Sequence, residues 1–243
     1  MASTDDNLLL TERRGAQLWV TLNRADKANA MTVRMVEGVT AALAQAAADP
    51  EIRVVVLTGE GERVFCAGVD VREQAPNGDA AAQRERRSHG LAALQDAVLD
   101  TPKPVVVVLN GTASGAGAMI ALMADACVAV DTAALSLPEI DIGIPTFSGA
   151  NILETIGGRA LALDLIESGR KMPAREAHTR GLVRAVAARA ELQQAAEAVV
   201  AGLATKDPHA FADIKPWLNR SLKAALAEAR IEHARHREKT AKQ

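Results

Sequence analysis

Short runs rich in valine and leucine alternate with long alanine-rich stretches in the first half of this chain. The runs contain almost no polar residues, which is typical of strands buried on both faces of a sheet. They read LWVTL, VVVLT, VVVVL and ACVAV, at residues 18–22, 54–58, 105–109 and 126–130. The stretches at 31–48 and 80–99 have helical periodicity, with Thr32 as the expected N-cap of the first. The alternation predicts an α/β fold with largely parallel strands and crossover helices.

The sequence after Gly157 carries weaker strand signals and is mostly helical in pattern. Helices are predicted at residues 160–168, 174–180, 190–203 and 208–237. Pro216 is expected to break or kink the last of these, because proline cannot continue the hydrogen-bond ladder. Beyond this proline, one face of the helix is expected to carry Leu218, Leu222, Leu226 and Ile231. We therefore expect an α/β core over residues 1–157 and a helical C-terminal part over residues 158–243.

Charge and composition argue against a nucleic-acid-binding protein. The 28 Lys and Arg residues nearly balance 30 Asp and Glu residues, which gives a formal charge of −2. Aromatic residues make up only 2% of the chain and there is no tyrosine, so platforms for stacking bases are not expected. The RERR run at residues 84–87 is then interpreted as a solvated helix face. Cys66 and Cys127 are too few for a disulfide framework or a four-ligand zinc site, so no metal site is expected.

A membrane protein is not expected either. Residues 105–124 carry no formal charge and reach the length of about 20 residues that a membrane span requires. However, Asn110-Gly111 is a turn signal after a β-branched run, which favours a strand, a turn and a buried helix. The N-terminal MASTDDNLLL is acidic and lacks the basic region of a secretory signal. We expect a cytoplasmic protein.

Two glycine-containing segments could bring backbone amides close to a ligand. In RVFCAGVDVR, Gly68 allows close approach and Asp70 is placed to cap a following helix. In NGTASGAGA, Gly115 and Gly117 flank Ala116 where a helix is expected to begin, and amides there suit a developing negative oxygen. A plain strand-to-helix turn, or a turn that needs glycine only for packing, remains an alternative for each segment.

A third segment, SLPEIDIGIP, places Glu139 in a largely apolar run between two prolines. A carboxylate is costly to bury unless it is partnered or protonated, so this position suits a proton carrier with a raised pKa. The alternative is an edge-strand glutamate that faces water. Asp141 and Glu154 are the rival carboxylates, Asp141 on the same side as Glu139 if the stretch is extended.

Taken in order, these segments resemble the crotonase family, the enoyl-CoA hydratase/isomerase superfamily. NRADKANAM resembles its N-R-P-x-x-x-N-A-hydrophobic segment, FCAGVDV its F-x-A-G-x-D segment and LPEIDIGIP its P-E-hydrophobic-x-x-G segment. NGTASGAGAMIALMADACVAV resembles the family's glycine-rich turn and helix, and residues 158–186 resemble the stretch that ends A-x-x-x-G-L-V. The match covers nearly the whole chain up to the last helix.

The resemblance implies a crotonase-like spiral of ββα units with a helical C-terminal part that serves oligomerisation, as a homotrimer or a dimer of trimers. It implies an acyl-CoA thioester as substrate, bound by the 1–157 core, and no cofactor beyond the coenzyme A of that substrate. The thioester oxygen is expected between the backbone amides of Val69 and Ala116. The remaining positions expected to contact substrate or coenzyme A are Arg24, Lys27, Ala28, Ala67, Gly68, Asp70, Gly115, Gly117 and Met119.

The sequence also departs from the family pattern. Hydratases of the family carry two catalytic glutamates, and here the second is Glu139 while the first position holds Met119. A lone glutamate resembles the 3-enoyl-CoA to 2-enoyl-CoA isomerase branch, so isomerisation is predicted ahead of hydration. The IGIPTFSG segment is rearranged and the terminal helix is shortened, with Lys239 or Lys242 as candidate replacements for its coenzyme A contacts.

Other activities remain as alternatives. A non-catalytic acyl-CoA-binding homologue is one, and enolate chemistry such as decarboxylation or C–C cleavage is another. Serine peptidases of the Clp type share the spiral and use an A-S-x-G turn, in which Ser114 would be the nucleophile and His178 the next downstream base. The remaining histidines are expected to be exposed helix residues: His89, His209, His233 and His236.

Overall fold

The protein, represented by a computed structural model, is described over residues 7–75 and 78–240. The first six residues of the N-terminal MASTDDNLLL segment, which was not expected to be a secretory signal, and Lys242 lie outside the described residues. The expected α/β architecture is confirmed. The strands are β1 to β10, in order Leu9–Arg14, Gln17–Leu22, Val54–Gly59, Val64–Cys66, Val105–Leu109, Thr112–Ser114, Ala126–Val130, Ala134–Ser136, Met172–Pro173 and Ala185–Ala187.

The helices alternate with these strands in the first half of the chain and dominate the second. They are α1 to α8, in order Val33–Ala48, Ala80–Asp100, Ala116–Met123, Phe147–Gly157, Arg159–Ser168, Ala174–Thr179, Leu192–Ala204 and Pro208–Thr240. Short 3-10 helices cover Ala25–Lys27, Pro138–Ile142 and Arg189–Glu191. Thr32 caps α1 as predicted, because its hydroxyl accepts a hydrogen bond from the backbone N–H of Met35 at 3.2 Å.

Two sheets make the spiral. One has six strands in the order β1-β2-β3-β5-β7-β10, and the other has four in the order β4-β6-β8-β9. The three successive pairs β3 and β4, β5 and β6, and β7 and β8 each add one longer strand to the first sheet and one three-residue strand to the second, and a helix follows each pair. Most pairings are parallel, while β1 with β2 and β8 with β9 are antiparallel. Because β4, β6 and β8 pair side by side, the turns that follow them are brought together.

The longest helix, α8, was predicted to break or kink at Pro216 and to carry four apolar residues on one face. It continues across Pro216 without a break. Its buried face includes Leu222 and Leu226 as expected, but Leu218 is 69% and Ile231 55% exposed. Of the four residues predicted for one face, Leu222 and Leu226 are therefore buried against the core and Leu218 and Ile231 are not.

Polar contacts hold α8 on the core. Next to the proline, the Lys215 ammonium is buried and donates to the Asp125 carboxylate at 2.6 Å. Further along, the Asn151 side chain of α4 donates to the Ala225 carbonyl at 2.6 Å. These anchors fix the helix on both sides of Pro216, which accounts for its continuity despite the hydrogen bond that proline cannot make.

The stretch at residues 105–124 forms β5, β6 and α3, as the turn signal predicted. No helix within residues 7–75 and 78–240 combines the length and apolar character needed to cross a membrane. Contrary to the weak strand signal after Gly157, β10 joins the six-stranded sheet there, beside β7.

Candidate active site

A cavity of about 280 Å³ opens where the turns after β4 and β6 meet the 3-10 helix Pro138–Ile142, the start of α4 and the end of α8. Most of its lining is apolar, with polar side chains from Ser114, Glu139, Thr146, Ser148 and His233. Its other lining residues are Ala67, Gly68, Val69, Val71, Leu91, Gly115, Ala116, Met119, Pro138, Ile142, Ile144 and Pro145. The cavity thus brings together both glycine-containing segments and the Pro-Glu segment of the sequence.

Another cavity, of about 320 Å³, lies between the end of α1 and the start of α8. Two of the cationic side chains in its wall are already used in hydrogen bonds to backbone carbonyls. Arg53 donates to the Lys206 carbonyl and Lys103 donates to the Asp49 carbonyl. None of the sequence motifs reaches this cavity. We therefore assign the candidate site to the cavity beside Glu139.

The two glycine turns lie in contact. Gly68 has φ +101°, and a Cβ added there would lie 3.2 Å from the Ser114 carbonyl oxygen and 3.4 Å from the Ala116 nitrogen. Gly115 has φ +52° and its N–H donates to the Ser136 carbonyl at 2.9 Å. Glycine is needed at 68 both for its left-handed conformation and for this close approach.

The amides of Val69 and Ala116 are free to bind a ligand. A bridge to Met31 uses the Gly68 carbonyl and the Asp70 N–H, each at 2.8 Å, and leaves out the Val69 N–H. Ala116 is the first residue of α3, where N–H groups have no partner within the helix. Neither amide has an acceptor in the part of the chain that the structure describes. Both residues line the cavity, and unpaired amide donors at such positions suit a negatively charged oxygen.

Glu139 supplies the carboxylate of the site. A Cβ on Gly115 would lie 3.3 Å from its Oε1, so the carboxylate sits against the turn that carries the Ala116 amide. Its Oε2 is buried and has no hydrogen-bond partner among the described residues. Burial raises the pKa of the Glu139 carboxyl, an effect that its own backbone N–H and the Thr146 hydroxyl partly offset.

The local structure around Glu139 corrects the alternative reading of this segment. Glu139 lies in a 3-10 helix rather than on an edge strand, so the extended geometry that would place Asp141 beside it does not occur. Asp141 is exposed and lies against Gly169, and Glu154 is exposed on α4. Neither rival carboxylate lines the cavity.

Met119 lies in α3, three residues after Ala116, and forms part of the cavity wall. It is buried, and the Gln95 side-chain amide lies 3.8 Å from its sulfur. A Cβ on Gly149 would lie 3.2 Å from its terminal methyl group. The position where the resemblance places the first of the two catalytic glutamates of hydratases is therefore filled by a packed thioether.

Gly117 does not line the cavity. A Cβ there would lie 2.6 Å from both the Cβ and the carbonyl oxygen of Cys66. The absence of a side chain at Gly117 thus lets α3 pack on β4, which is the packing alternative that the sequence left open.

The loop of residues 23–31 supports the Gly68 turn rather than the cavity itself. The Arg24 guanidinium donates to the Asp70 carboxylate at 2.6 Å and to the Ala30 carbonyl at 3.1 Å. The Ala67 N–H donates to the carbonyl of Ala28, which has φ +53°. Lys27 is exposed on the adjoining 3-10 helix. Their contact with coenzyme A, outside the cavity, remains a prediction.

Asp70 does not cap a helix, contrary to the expectation. It accepts hydrogen bonds from Arg24 and from the Arg72 N–H, the latter at 2.9 Å, and α2 begins only at Ala80 with Asp79 as its cap. The ion pair with Arg24 contributes to holding the pKa of the Asp70 carboxyl below its ordinary value, against the raising effect of burial.

Sequence reasoning missed two residues. Asn29 has φ +52°, is fully buried and donates to the carbonyls of Glu60 and Val64 while accepting from the Arg24 N–H. It therefore fixes the loop that carries Arg24, and an asparagine beside a turn is the signal that could have indicated it. His233, expected to be exposed, lines the cavity.

Both C-terminal histidines correct the expectation of exposed helix residues. His233 and His236 are half-buried, and their rings meet the Phe147 ring edge-on at centroid distances of 5.0 and 6.2 Å. The Ser148 N–H donates to Nε2 of His233 at 3.4 Å. Burial, with the charges of Arg237 and His236, lowers the pKa of His233.

The geometry around Ser114 does not favour a peptidase. Its hydroxyl pairs with that of Ser136 at 2.8 Å, and Nδ1 of His178 pairs with the Val183 carbonyl at 2.8 Å. Residues 7–75 and 78–240 also contain no cluster of three His, Cys, Asp or Glu side chains suited to a metal ion. What the cavity offers is a pair of free amides beside one buried carboxylate.

Known proteins resemble this chain over most of its length. The family model for enoyl-CoA hydratase/isomerase matches residues 12–243. A carnitinyl-CoA dehydratase of Salmonella typhimurium is 35% identical over 86% of this chain and 79% of its own. The structure of PA4980 from Pseudomonas aeruginosa superposes with a TM-score of 0.83 at 31% identity, covering 95% of this chain and 99% of that one. An enoyl-CoA hydratase from Mycobacterium avium subsp. paratuberculosis superposes with a TM-score of 0.82 at 29% identity, covering 93% and 90%. The chain therefore belongs to the enoyl-CoA hydratase/isomerase family of enzymes, within the crotonase superfamily.

Proposed function

We propose that this protein is an acyl-CoA isomerase that converts 3-enoyl-CoA thioesters to 2-enoyl-CoA thioesters. The observation that carries the proposal is the carboxylate of Glu139, whose Oε2 is buried without a hydrogen-bond partner among the described residues, in the same cavity as Val69 and Ala116 with their unpaired amides. Moving one proton between two carbon atoms of the same substrate requires one base. With Met119 at this position, residues 7–75 and 78–240 contribute no second carboxylate to the cavity lining.

In this mechanism the thioester oxygen accepts hydrogen bonds from the Val69 and Ala116 amides. Glu139 removes a proton from C2, and the electron pair moves into the thioester to give a dienolate with its charge on that oxygen. Glu139 then returns the proton to C4, and the double bond shifts to C2–C3. Each amide of such a pair is worth about 3 kcal/mol in the transition state. The carboxylate contributes a further ~10²–10⁴-fold as general base.

The raised pKa of Glu139 suits both halves of the reaction. Burial makes the carboxylate a stronger base than one in water, and the proton that it takes up remains available for return. The apolar lining keeps bulk water away from the dienolate. No group other than the thioester and Glu139 is needed to balance the reaction.

Hydration is the second candidate, because the solved structures similar to this chain include an enoyl-CoA hydratase. A similar carnitinyl-CoA dehydratase carries out the reverse type of reaction, the removal of water. Adding water requires a second group to hold it, and the polar side chains of the lining besides Glu139 are those of Ser114, Thr146, Ser148 and His233. A non-catalytic acyl-CoA-binding protein is the third candidate, and the buried carboxylate argues against it because such a protein gains nothing from its burial cost.

The decisive experiment presents the protein with 3-hexenoyl-CoA and, separately, with 2-hexenoyl-CoA. An isomerase forms 2-hexenoyl-CoA of unchanged mass from the first substrate and leaves the second almost unchanged. A hydratase converts the second substrate to a product heavier by one water. Binding without turnover of either would identify a binding protein.

We further propose that the chain assembles as a homotrimer or a dimer of trimers. Large apolar side chains of α8 are exposed in the single chain, with Trp217 62% and Leu218 69% accessible. Ile214, one turn earlier, is 48% accessible. Such a patch is typical of a surface that a second copy covers. Light scattering after size exclusion measures the assembly, and Trp217→Glu is expected to weaken it.

A further inference from the structure

The C-terminal helix closes the acyl cavity with a histidine. His233 is the residue of α8 that lines the cavity, whereas the other lining residues come from the core and from α4. The family motifs of the sequence end before this helix, so none of them assigns a role to His233.

The position of His233 is fixed by ion pairs and hydrogen bonds on the same face of α8. Arg230, one turn earlier, donates from its two terminal nitrogens to the Asp96 carboxylate at 2.9 and 2.8 Å, and to the Ala92 carbonyl at 3.1 Å. Arg237, one turn later, donates to the Ser88 hydroxyl at 3.3 Å. Residues three and four apart on a helix share a face, so these contacts with α2 hold the imidazole over the cavity.

The imidazole has hydrogen-bonding capacity that the protein does not use. The long hydrogen bond from the Ser148 N–H makes Nε2 an acceptor, which places the proton of the neutral ring on Nδ1. Nδ1 has no partner in the described part of the chain. The neutral ring is favoured because burial lowers its pKa. Nδ1 is not among the fully buried atoms without a partner, so it is accessible, and a ligand group that accepts its hydrogen bond replaces a water molecule there.

Glu139 and His233 both line the cavity but make different contacts. Glu139 lies against Gly115, beside the Ala116 amide, whereas His233 contacts Phe147 and Ser148 at the start of α4. A thioester whose oxygen occupies the amide pair therefore meets Glu139 first. The acyl carbon atoms that do not react are then the part of the substrate left to contact His233 in the same cavity.

We propose that His233 determines substrate specificity by donating a hydrogen bond to an oxygen substituent on the acyl chain, beyond the carbon atoms that react. This inference rests on the proposed acyl-CoA function. The preferred substrates are then thioesters whose acyl group carries a hydroxyl or oxo group, rather than plain hydrocarbon chains of the same length. The surrounding apolar side chains, such as Leu91 and Ile144, pack on the carbon atoms between that oxygen and the thioester.

The test measures binding of saturated thioesters, which the proposed isomerisation cannot turn over. Hexanoyl-CoA is compared by calorimetry with its 4-, 5- and 6-hydroxy derivatives. For the wild type we expect at least one hydroxylated thioester to bind about 10-fold more tightly than hexanoyl-CoA, since one hydrogen bond contributes up to about 1.5 kcal/mol. His233→Phe should abolish this preference and leave hexanoyl-CoA affinity within about 2-fold. His233→Asn, which keeps a donor, should retain part of it.

His236→Phe is the matched control, because His236 packs on the same Phe147 ring and does not line the cavity. It should keep the full preference. A preference that persists in His233→Phe, or a wild type that binds all four thioesters equally, overturns the inference while leaving the acyl-CoA function standing. A wild type that binds none of them overturns both proposals.

Discussion

The carboxylate of Glu139 lies against Gly115, so that a Cβ on this glycine would be 3.3 Å from Oε1. Gly115 directly precedes Ala116, whose amide is free. Glu139 lies in the 3-10 helix that follows β8, and Gly115 lies in the turn that follows β6. Parallel pairing of β6 with β8 brings these segments together. The pairing of short strands thus places the proposed base beside the proposed oxyanion donor.

Glu139→Gln is expected to lower turnover of 3-hexenoyl-CoA by about 10²–10⁴-fold, because the amide cannot accept the proton. Affinity for hexanoyl-CoA should change little, since the carboxylate acts on the substrate rather than anchoring it. Steady-state kinetics and calorimetry measure the two effects. Glu154→Gln, exposed on α4, is the control and should behave as wild type. Full activity in Glu139→Gln would exclude Glu139 as the base.

The same substitution has a predictable effect on stability. The pKa of Glu139 is raised from 4.5 in the folded protein, so its protonated form favours folding and its ionised form opposes it. The stabilising contribution of the proton is complete below about pH 4.5 and is lost as pH rises through the folded pKa. Glutamine cannot ionise. We therefore expect Glu139→Gln to melt above wild type at pH 8, with a difference that shrinks toward pH 5. Thermal unfolding measures the melting temperatures of both proteins across this pH range. A difference in melting temperature that does not change with pH would contradict the prediction.

The glycines at 68 and 117 should respond differently to substitution by alanine. At Gly117 the new Cβ meets the Cys66 backbone at 2.6 Å, so the expected result is lower stability, by about 1–3 kcal/mol. At Gly68 the Cβ approaches the Ala116 amide nitrogen at 3.4 Å and the φ of +101° is strained, so turnover should fall more than stability alone explains.

Gly181→Ala provides the control for backbone strain in this comparison. Gly181 has φ +77° and a Cβ there would meet nothing within 4 Å. It should therefore lower the melting temperature without changing kcat. Equal kinetic effects of Gly68→Ala and Gly181→Ala would mean that Gly68 has no part in the oxyanion site.

Much of the fold follows from local sequence pattern. The buried strands β2, β3, β5 and β7 and the helix α1 were predictable because uniform apolar runs and a threonine N-cap are local signals. The short strands β4, β6 and β8 were not, since three residues carry little periodicity and these strands form by pairing across turns of the spiral. Their pairing positions the site, so family resemblance contributed more to its prediction than periodicity did.

The errors in the candidate site have physical causes. Glu139 lies in a 3-10 helix that begins at Pro138, and a proline at that point was equally compatible with an extended strand. Asp70 was expected to cap a helix, yet its charge is used by Arg24, a partner distant in sequence. His233 was missed because polar residues surround it in sequence, while the contacts of Arg230 and Arg237 with α2 determine which face of α8 is covered.

Met119→Glu tests which feature separates isomerisation from hydration. Met119 lines the same cavity as Glu139, and the Gln95 amide beside its sulfur can donate a hydrogen bond to a carboxylate there. A second carboxylate would hold a water molecule and supply a second proton-transfer group. We expect measurable hydration of crotonyl-CoA, reduced isomerisation of 3-hexenoyl-CoA and lower stability, because two buried carboxylates raise each other's pKa.

Met119→Gln is the matched control, since it has nearly the same shape as the glutamate but cannot ionise. It should show no gain in hydration, and Met119→Leu should retain isomerisation because it preserves the apolar wall. The comparison is made by following both substrates with each variant. A wild type that already hydrates crotonyl-CoA at about 10 s⁻¹ or faster, a rate typical of enzymes, would contradict the proposal that one base limits the site to isomerisation. A polar lining residue such as Ser148 must then position the water.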